Sequence, residues 1–222
     1  MRDLLAAIEG RTADLLRIRD GDGPARFDQD WFPRLDAAAA YALVRRERPA
    51  RIVEIGSGHS TRFLARAVAD EGLGAVLTCI DPHPRASLAR LHVRHEARLL
   101  DETDRLTLAG LAAGDILFID SSHVAMPGTD VDRLFLDVLP GLASGVLIHV
   151  HDIFLPRDYP PEWAWRGYNE QIVVGALLVG GGYEIVFASR YVLEVPLLSA
   201  EHMVHGLPKT DAPDCSLWLR KL

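Results

Sequence analysis

Residues 53–60, Val53-Glu54-Ile55-Gly56-Ser57-Gly58-His59-Ser60, constrain the fold of this chain more than any other stretch. The segment 51–55 reads as a buried parallel strand, and Ser60-Thr61 are placed to cap a helix running through 62–69. Between them lies a tight turn built on Gly56 and Gly58. Glycine lets backbone approach a ligand closely, here where free helix N–H groups point outward. An ordinary strand–helix turn explains a lone glycine pair equally well. The next strand end, Thr78-Cys79-Ile80-Asp81, favours the binding reading. Asp81 falls about 20 residues beyond the turn, where a second-strand carboxylate meets a bound ribose.

The rest of the chain extends that unit. Strands are expected at 51–55, 75–80, 97–100, 115–119 and 144–149, with helices at 60–69, 84–91, 103–112 and 130–139. A helix at 168–179 and strands at 183–188 and 216–221 follow. Upstream, 3–19 reads as one amphipathic helix ended by Gly21-Asp22-Gly23-Pro24, and 36–44 as a second that stops before Pro49. The alternation predicts an α/β fold: a Rossmann-like, open, mostly parallel seven-stranded sheet with helices on both faces and extra N-terminal helices. At 222 residues and 49% hydrophobic, the chain suffices for one domain, 1–222. Within it, 1–48 is the N-terminal helical segment, 49–152 the core, and 153–222 a lid with the C-terminal strands.

Composition excludes several classes. Cys79 and Cys215 make no disulfide framework, and Cys79 reads as a core residue. A net charge of −7 lacks the electrostatic footprint of a nucleic-acid binder. No apolar run is long enough for a membrane span, and Met1-Arg2-Asp3-Leu4 lacks a signal-peptide shape, so a cytoplasmic location is expected.

In such sheets ligands sit outside the carboxyl ends of the strands. One apolar strand runs into Asp120-Ser121-Ser122-His123, and another into His149-Val150-His151-Asp152. Two carboxylates and three imidazoles are thus expected at neighbouring strand ends, where buried charge survives only when paired or bound to metal. A chance surface cluster is the alternative. His149 reads as the last in-sheet residue, satisfied locally. His59 reads equally as a cofactor contact or a solvated turn residue. Trp31, Phe32 and Asp36 are candidates to roof the pocket. The loop 157–165, rich in Pro and aromatics, reads as an acceptor lid, with a dimer contact as the alternative. Asn169, Glu170 and Gln171 would line the same pocket.

Two features bear on the ligand. A dinucleotide fingerprint places a third glycine at position 61, which is Thr61 here. Glu54, just inside the turn, suits a cationic ligand better than a pyrophosphate. The Glu54-Ile55-Gly56-Ser57-Gly58 pattern with Asp81 resembles the first two motifs of class I S-adenosylmethionine-dependent methyltransferases, apart from Ser60 where many members have glycine. The runs 118–123 and 145–153, with Phe154-Leu155-Pro156 and 165–171, are similar to a bacterial branch catalogued as methyltransferase family 24. That resemblance spans about 50 to 175.

The resemblance implies S-adenosyl-L-methionine as cofactor. Glu54, Gly56, Ser57, Gly58 and Ser60 would surround its amino-acid half, Asp81 would hold the ribose, and Asp120 would lie beside it. A more distant resemblance to metal-dependent catechol-type O-methyltransferases implies further roles. Asp120, His151 and Asp152 then fall on divalent-metal positions, and His123 on the general-base position, with His151 as second candidate. A His-plus-carboxylate set suits Mn, Fe or Zn better than Mg. The function so implied is methyl transfer to a small-molecule acceptor, by O-methylation, from a homodimer on base rates. A nicotinamide-dependent oxidoreductase and a non-catalytic cofactor-binding module stand as alternatives.

Overall fold

The structure, a computed structural model, describes residues 1–222. Two short helices open the chain, α1 (Arg2–Glu9) and α2 (Thr12–Arg19), followed by α3 (Arg34–Glu47). The single helix expected at 3–19 is therefore two. Gly10 is a weak helix former, and the Thr12 hydroxyl donates to the Glu9 carbonyl at 2.6 Å, ending α1 there. Leu4, Leu5 and Ile8, then Leu15 and Ile18, are buried. The alanine run at 37–40 lets α3 lie close between α1 and the next helix.

The alternating part runs β1 (Arg51–Ile55), α4 (His59–Asp70), β2 (Val76–Ile80), β3 (Arg94–Glu96), α5 (Asp104–Ala109), β4 (Ile116–Ile119), α6 (Asp130–Arg133) and β5 (Leu147–Val150). Then follow α7 (Glu170–Val179), β6 (Tyr183–Ala188), α8 (Ser189–Glu194) and β7 (Leu217–Lys221). One seven-stranded sheet results, in the order β3-β2-β1-β4-β5-β7-β6. Its first five strands are parallel, and β7 inserts antiparallel between β5 and β6. No helix is long and apolar enough to cross a membrane.

Two expectations fail on the β2–β3 side. No helix forms at 84–91. Pro82 and Pro84 lack amide protons, and the backbone there serves other partners: Arg85 N–H donates to the Ser57 carbonyl (3.0 Å), and Ser87's carbonyl accepts from Arg62 (3.0 and 3.2 Å). The third strand lies upstream of 97–100, at Arg94–Glu96, because a tight turn closes on it with Arg98 N–H donating to the Glu96 carbonyl at 2.8 Å. The helix expected at 130–139 is α helical only to Arg133 and continues as a π turn over Leu134–Val138.

Strand alternation divides the core into two faces. Ile52, Phe118, Leu147 and Trp218 pack toward α3 and α4. Val53, Leu117, Ile119, Ile148 and Leu219 pack toward α5, α6 and α7. His149 falls on the first face. It lies in the strand as expected but is neither its last residue nor satisfied locally. Its ring stacks on Phe118 at 3.7 Å between centroids, its Nε2 lies 2.8 Å from Ser216 Oγ on the neighbouring strand's approach, and its buried Nδ1 has no partner. Burial pushes its pKa well below the ordinary imidazole value, so it is neutral.

Phe118 also meets Phe32 and Trp218 edge-on. Phe118→Ala is expected to lower the unfolding free energy by about 3–5 kcal/mol, measured by urea denaturation. A loss below about 1 kcal/mol would show that this face is not the tightly packed one.

Candidate active site

The site begins at the β1–α4 turn. Gly56 has φ 86°, and a Cβ there would fall 1.8 Å from the Asp120 carbonyl oxygen, so glycine lets the ends of β1 and β4 close together. Gly58, at φ 154°, packs against Arg85, where a Cβ would sit 2.9 Å from Arg85 Cβ. Helix α4 starts at His59, one residue before the expected capping pair. Thr61 Oγ1 accepts the Gly58 N–H at 2.9 Å.

Glu54 lies beneath this turn, fully buried. Its carboxylate accepts from Ser60 Oγ and Thr61 Oγ1, each at 2.6 Å, and from Cys79 Sγ at 3.3 Å. Burial pushes its pKa up to about 7, against those hydrogen bonds. Glu54 thus braces the turn from inside and does not line the cavity above it, whereas Ser57 and Ser60 do. Asp81 stands behind Ser57: one oxygen accepts Ser57 Oγ at 2.8 Å and the other the His83 N–H at 2.8 Å.

Above the strand ends opens a cavity of about 360 Å³. Trp31 and Phe32, the turn residues Ser57, His59 and Ser60, and Arg85 form one part of its wall. The 3₁₀ turn Pro161–Arg166 contributes Trp163 and Arg166, next to Tyr168. Residues 211–213, which no motif marks, complete the wall.

Asp120, His123, His151 and Asp152 come together at this cavity. His123 Nε2 lies 3.4 Å from Asp120 Oδ1 and 3.5 Å from Asp152 Oδ2. His151 Nδ1 lies 3.5 Å from Asp120 Oδ1 and 3.4 Å from Asp152 Oδ1. Each ring is held from behind by a fully buried carboxylate. His123 Nδ1 donates to Glu170 Oε2 (2.9 Å), and His151 Nε2 to Asp36 Oδ2 (3.2 Å). Glu170 and Asp36 therefore act behind the imidazoles and line no part of the cavity. Asp36 also accepts the Cys215 and Ser216 N–H groups at 2.9 and 3.0 Å. His123 and Asp152 both adopt left-handed backbone, φ 58° and 56°, which non-glycine residues rarely take outside sites that enforce it.

Burial opposes charge on both rings, but Asp120, Glu170 and Asp152 around His123, and Cys215, Asp120 and Asp152 around His151, prevail and hold both pKa values well above 6.5. Burial likewise opposes charge on Asp120, and the two imidazoles outweigh it, keeping that carboxyl far below its usual range.

The donor types at the cavity, imidazole and carboxylate, suit a divalent ion. Each imidazole has a nitrogen 3.4–3.5 Å from an oxygen of both Asp120 and Asp152, with Asp152 turning a different oxygen to each ring. The four thus border the cavity without closing into one compact set of donors. A carboxylate behind each histidine is the usual outer-shell arrangement. The side chains whose ligand atoms do all lie within 4.8 Å of one another, Asp36, His151 and Cys215, are chemically less apt. The Asp36 oxygens are occupied by N–H donors, and burial keeps the Cys215 thiol protonated, donating to Asp152 Oδ1 at 3.2 Å.

With this geometry in place, comparison with known proteins is informative. Residues 53–153 match the family model described as a methyltransferase domain. Structures of similar fold include the Podospora anserina methyltransferase PaMTH1 bound to S-adenosylhomocysteine (SAH). It shares 18% identity over 99% of this chain and 88% of that one, with a TM-score of 0.52. The O-methyltransferase TomG from Streptomyces achromogenes, in complex with SAM, shares 19% identity over 97% and 89%, with a TM-score of 0.50. An O-methyltransferase from Bacillus cereus in complex with SAH shares 13% over 99% and 91%, with a TM-score of 0.50. No curated protein matches the chain. Residues 53–153 thus resemble a methyltransferase domain, and the chain as a whole shares the fold of these methyltransferase structures.

The raised imidazole pKa values carry a pH signature. In metal-free protein both rings should be protonated at pH 7, and NMR titration should place their transitions alkaline of about 6.5. Their stabilising contribution is complete below the unfolded value of about 6.5 and is lost as pH rises through the folded values. Ring resonances that titrate at or below pH 6.5 would contradict the pairing.

Proposed function

We propose that this protein is a class I S-adenosylmethionine-dependent methyltransferase of the family 24 branch, which moves the methyl group of its cofactor in line onto a hydroxyl oxygen of a small-molecule acceptor held in the 360 Å³ cavity. The observation that carries this reading is the meeting, in one cavity, of the glycine turn with the Asp120, His123, His151 and Asp152 cluster. Gly56, Ser57, Gly58 and Ser60 hold the amino-acid half of the cofactor. Asp81, reached through Ser57, takes the ribose hydroxyls. Asp30, Asp120, Asp152 and Asp211 line the same cavity and favour a sulfonium cation over an anionic donor.

Alignment supplies most of the rate. Effective molarities of about 10⁵–10⁸ M correspond to roughly 7–11 kcal/mol, whereas a positioned base adds about 10²–10⁴-fold. His123 is that base. Glu170 fixes its tautomer, leaving Nε2 toward the cavity to take the acceptor's hydroxyl proton once the ring is neutral. His151, braced by Asp36, is the second candidate. A divalent ion held by Asp120, His151 and Asp152 would supply Lewis acidity and lower the hydroxyl's pKa. Trp163 and Tyr168 exclude water from the acceptor side.

Calorimetric titration with S-adenosylmethionine and SAH tests the reading, on chelator-stripped protein and again with Mg, Mn, Fe(II) or Zn restored. Micromolar binding of both is expected, and absence of binding under every condition overturns the proposal. Asp81→Ala should weaken cofactor binding about tenfold or more while sparing the fold, in keeping with loss of charge-assisted hydrogen bonds. Unchanged affinity would remove Asp81 from the ribose site. His123→Ala should cut turnover by about 10²–10⁴ with SAH affinity unaltered, once an acceptor is found. An unaffected rate would move the base role elsewhere.

A further inference from the structure

The cavity wall contains two guanidiniums, those of Arg85 and Arg166, and neither is paired with a carboxylate. Several arginines elsewhere are paired, Arg45 with Glu71, Arg66 with Asp70 and Arg98 with Asp104, while Arg133, which also keeps a partnerless buried nitrogen, lies away from this cavity. Arg85 lies over Trp31 at 4.3 Å and packs on Gly58, which puts it at the cofactor turn. Arg166 is at the other end. Its guanidinium carbon sits 4.0 Å from the Trp163 ring centroid, 5.5 Å from Trp165 and 5.4 Å from Tyr168. Nη1 donates to Tyr168 Oη at 3.4 Å, and the Tyr168 ring lies 4.6 Å from that of His123.

Aromatic faces hold a guanidinium in place without using up its donors. Arg166 Nε is buried and has no hydrogen-bond partner. Leaving such a donor dry is costly, and a planar fork of N–H groups matches a carboxylate or phosphate by two parallel bonds. The chain thus keeps one oriented, unspent cation beside the His123 cluster, in a wall that otherwise carries four aspartates. We propose that Arg166 is the specificity residue for the acceptor, binding an oxyanion, carboxylate or phosphate, on the same small molecule whose hydroxyl is methylated. This rests on the O-methyl transfer reading above and names its substrate class.

The test is calorimetric titration of SAH-loaded protein with benzoate, phenyl phosphate and neutral benzyl alcohol. Wild type should bind at least one anion about tenfold or more tightly than the alcohol, the worth of one charge-assisted hydrogen bond. The favoured anion distinguishes carboxylate from phosphate. Arg166→Gln should abolish the preference with thermal unfolding and SAH affinity unchanged, and Arg166→Lys should restore part of it. Equal binding of the three probes, binding of none, or a preference that survives in Arg166→Gln overturns the proposal. So does loss of SAH affinity in Arg166→Gln, which would give this guanidinium to the cofactor's own carboxylate. If wild type fails to bind SAH at all, it is the methyl-transfer reading that falls. The same three probes on SAH-free protein then still decide whether Arg166 selects an anion.

Discussion

Four buried or half-buried carboxylates and two buried imidazoles meet at the ends of β4 and β5, and such groups persist only when each is paired. Much of the architecture follows from that pairing. Glu170 opens α7 and Asp36 lies in the first turn of α3, so a helix on each side of the sheet sends in one carboxylate to a strand-end imidazole. Both acids also sit where a helix dipole favours negative charge. The contact runs both ways at α3: Asp214 accepts the Leu35 N–H at 2.8 Å, while Asp36 accepts the amides of Cys215 and Ser216. The N-terminal helices are thereby tied to the entry of β7, and the cavity gains its third wall.

The same lattice determines what the cavity attracts. Carboxylates outnumber imidazoles around it, which suits a cationic cofactor and any divalent ion that joins it. Glu54 adds to this field only weakly. Burial raises its pKa to about 7, and its hydrogen bonds go to the turn it supports. An acid beside the glycine turn thus serves mainly as an internal brace for α4's first turn.

How much of this the sequence discloses depends on the range of each interaction. Apolar runs ending in Asp120-Ser121-Ser122-His123 and His149-Val150-His151-Asp152 mark strand ends, and parallel pairing of β4 with β5 brings those ends together. Local pattern suffices there. The partners of the imidazoles lie 47 and 115 residues away, and no spacing rule reports such pairs: Glu170 and Asp36 are expected from sequence to line the pocket, whereas they stand behind the rings. The orientation of Glu54 depends on Ser60 and Thr61 turning back one helical turn later, a local signal easily mistaken for simple capping. The 84–91 segment has a helical apolar spacing, yet prolines and the backbone demands of Ser57 and Arg62 override it. Arg166 lies within the 165–171 run that carries the resemblance, but nothing in the sequence marks its role. Its character comes from three aromatic rings that gather only in the folded loop.

On the proposed methyl-transfer reading, rigid support of the rings matters more than the basicity of either. An imidazole free to swing would still be a base, but alignment contributes roughly 7–11 kcal/mol, and a base about 10²–10⁴-fold. His123 is fixed at both ends. Its carbonyl accepts the Asn169 and Glu170 amides at 3.1 and 3.2 Å, its ring is held by Glu170, and its backbone stays in the left-handed region. Strain of that kind costs on the order of 1–3 kcal/mol per residue and persists only where surrounding contacts over-determine it. The carboxylate lattice meets that condition at His123, where the helix start and ring brace come from one residue. A chain selected for stability alone would place glycine there. Histidine at a left-handed position, backed by a buried acid, is instead what a site needs when the position of a nitrogen matters more than the comfort of its backbone.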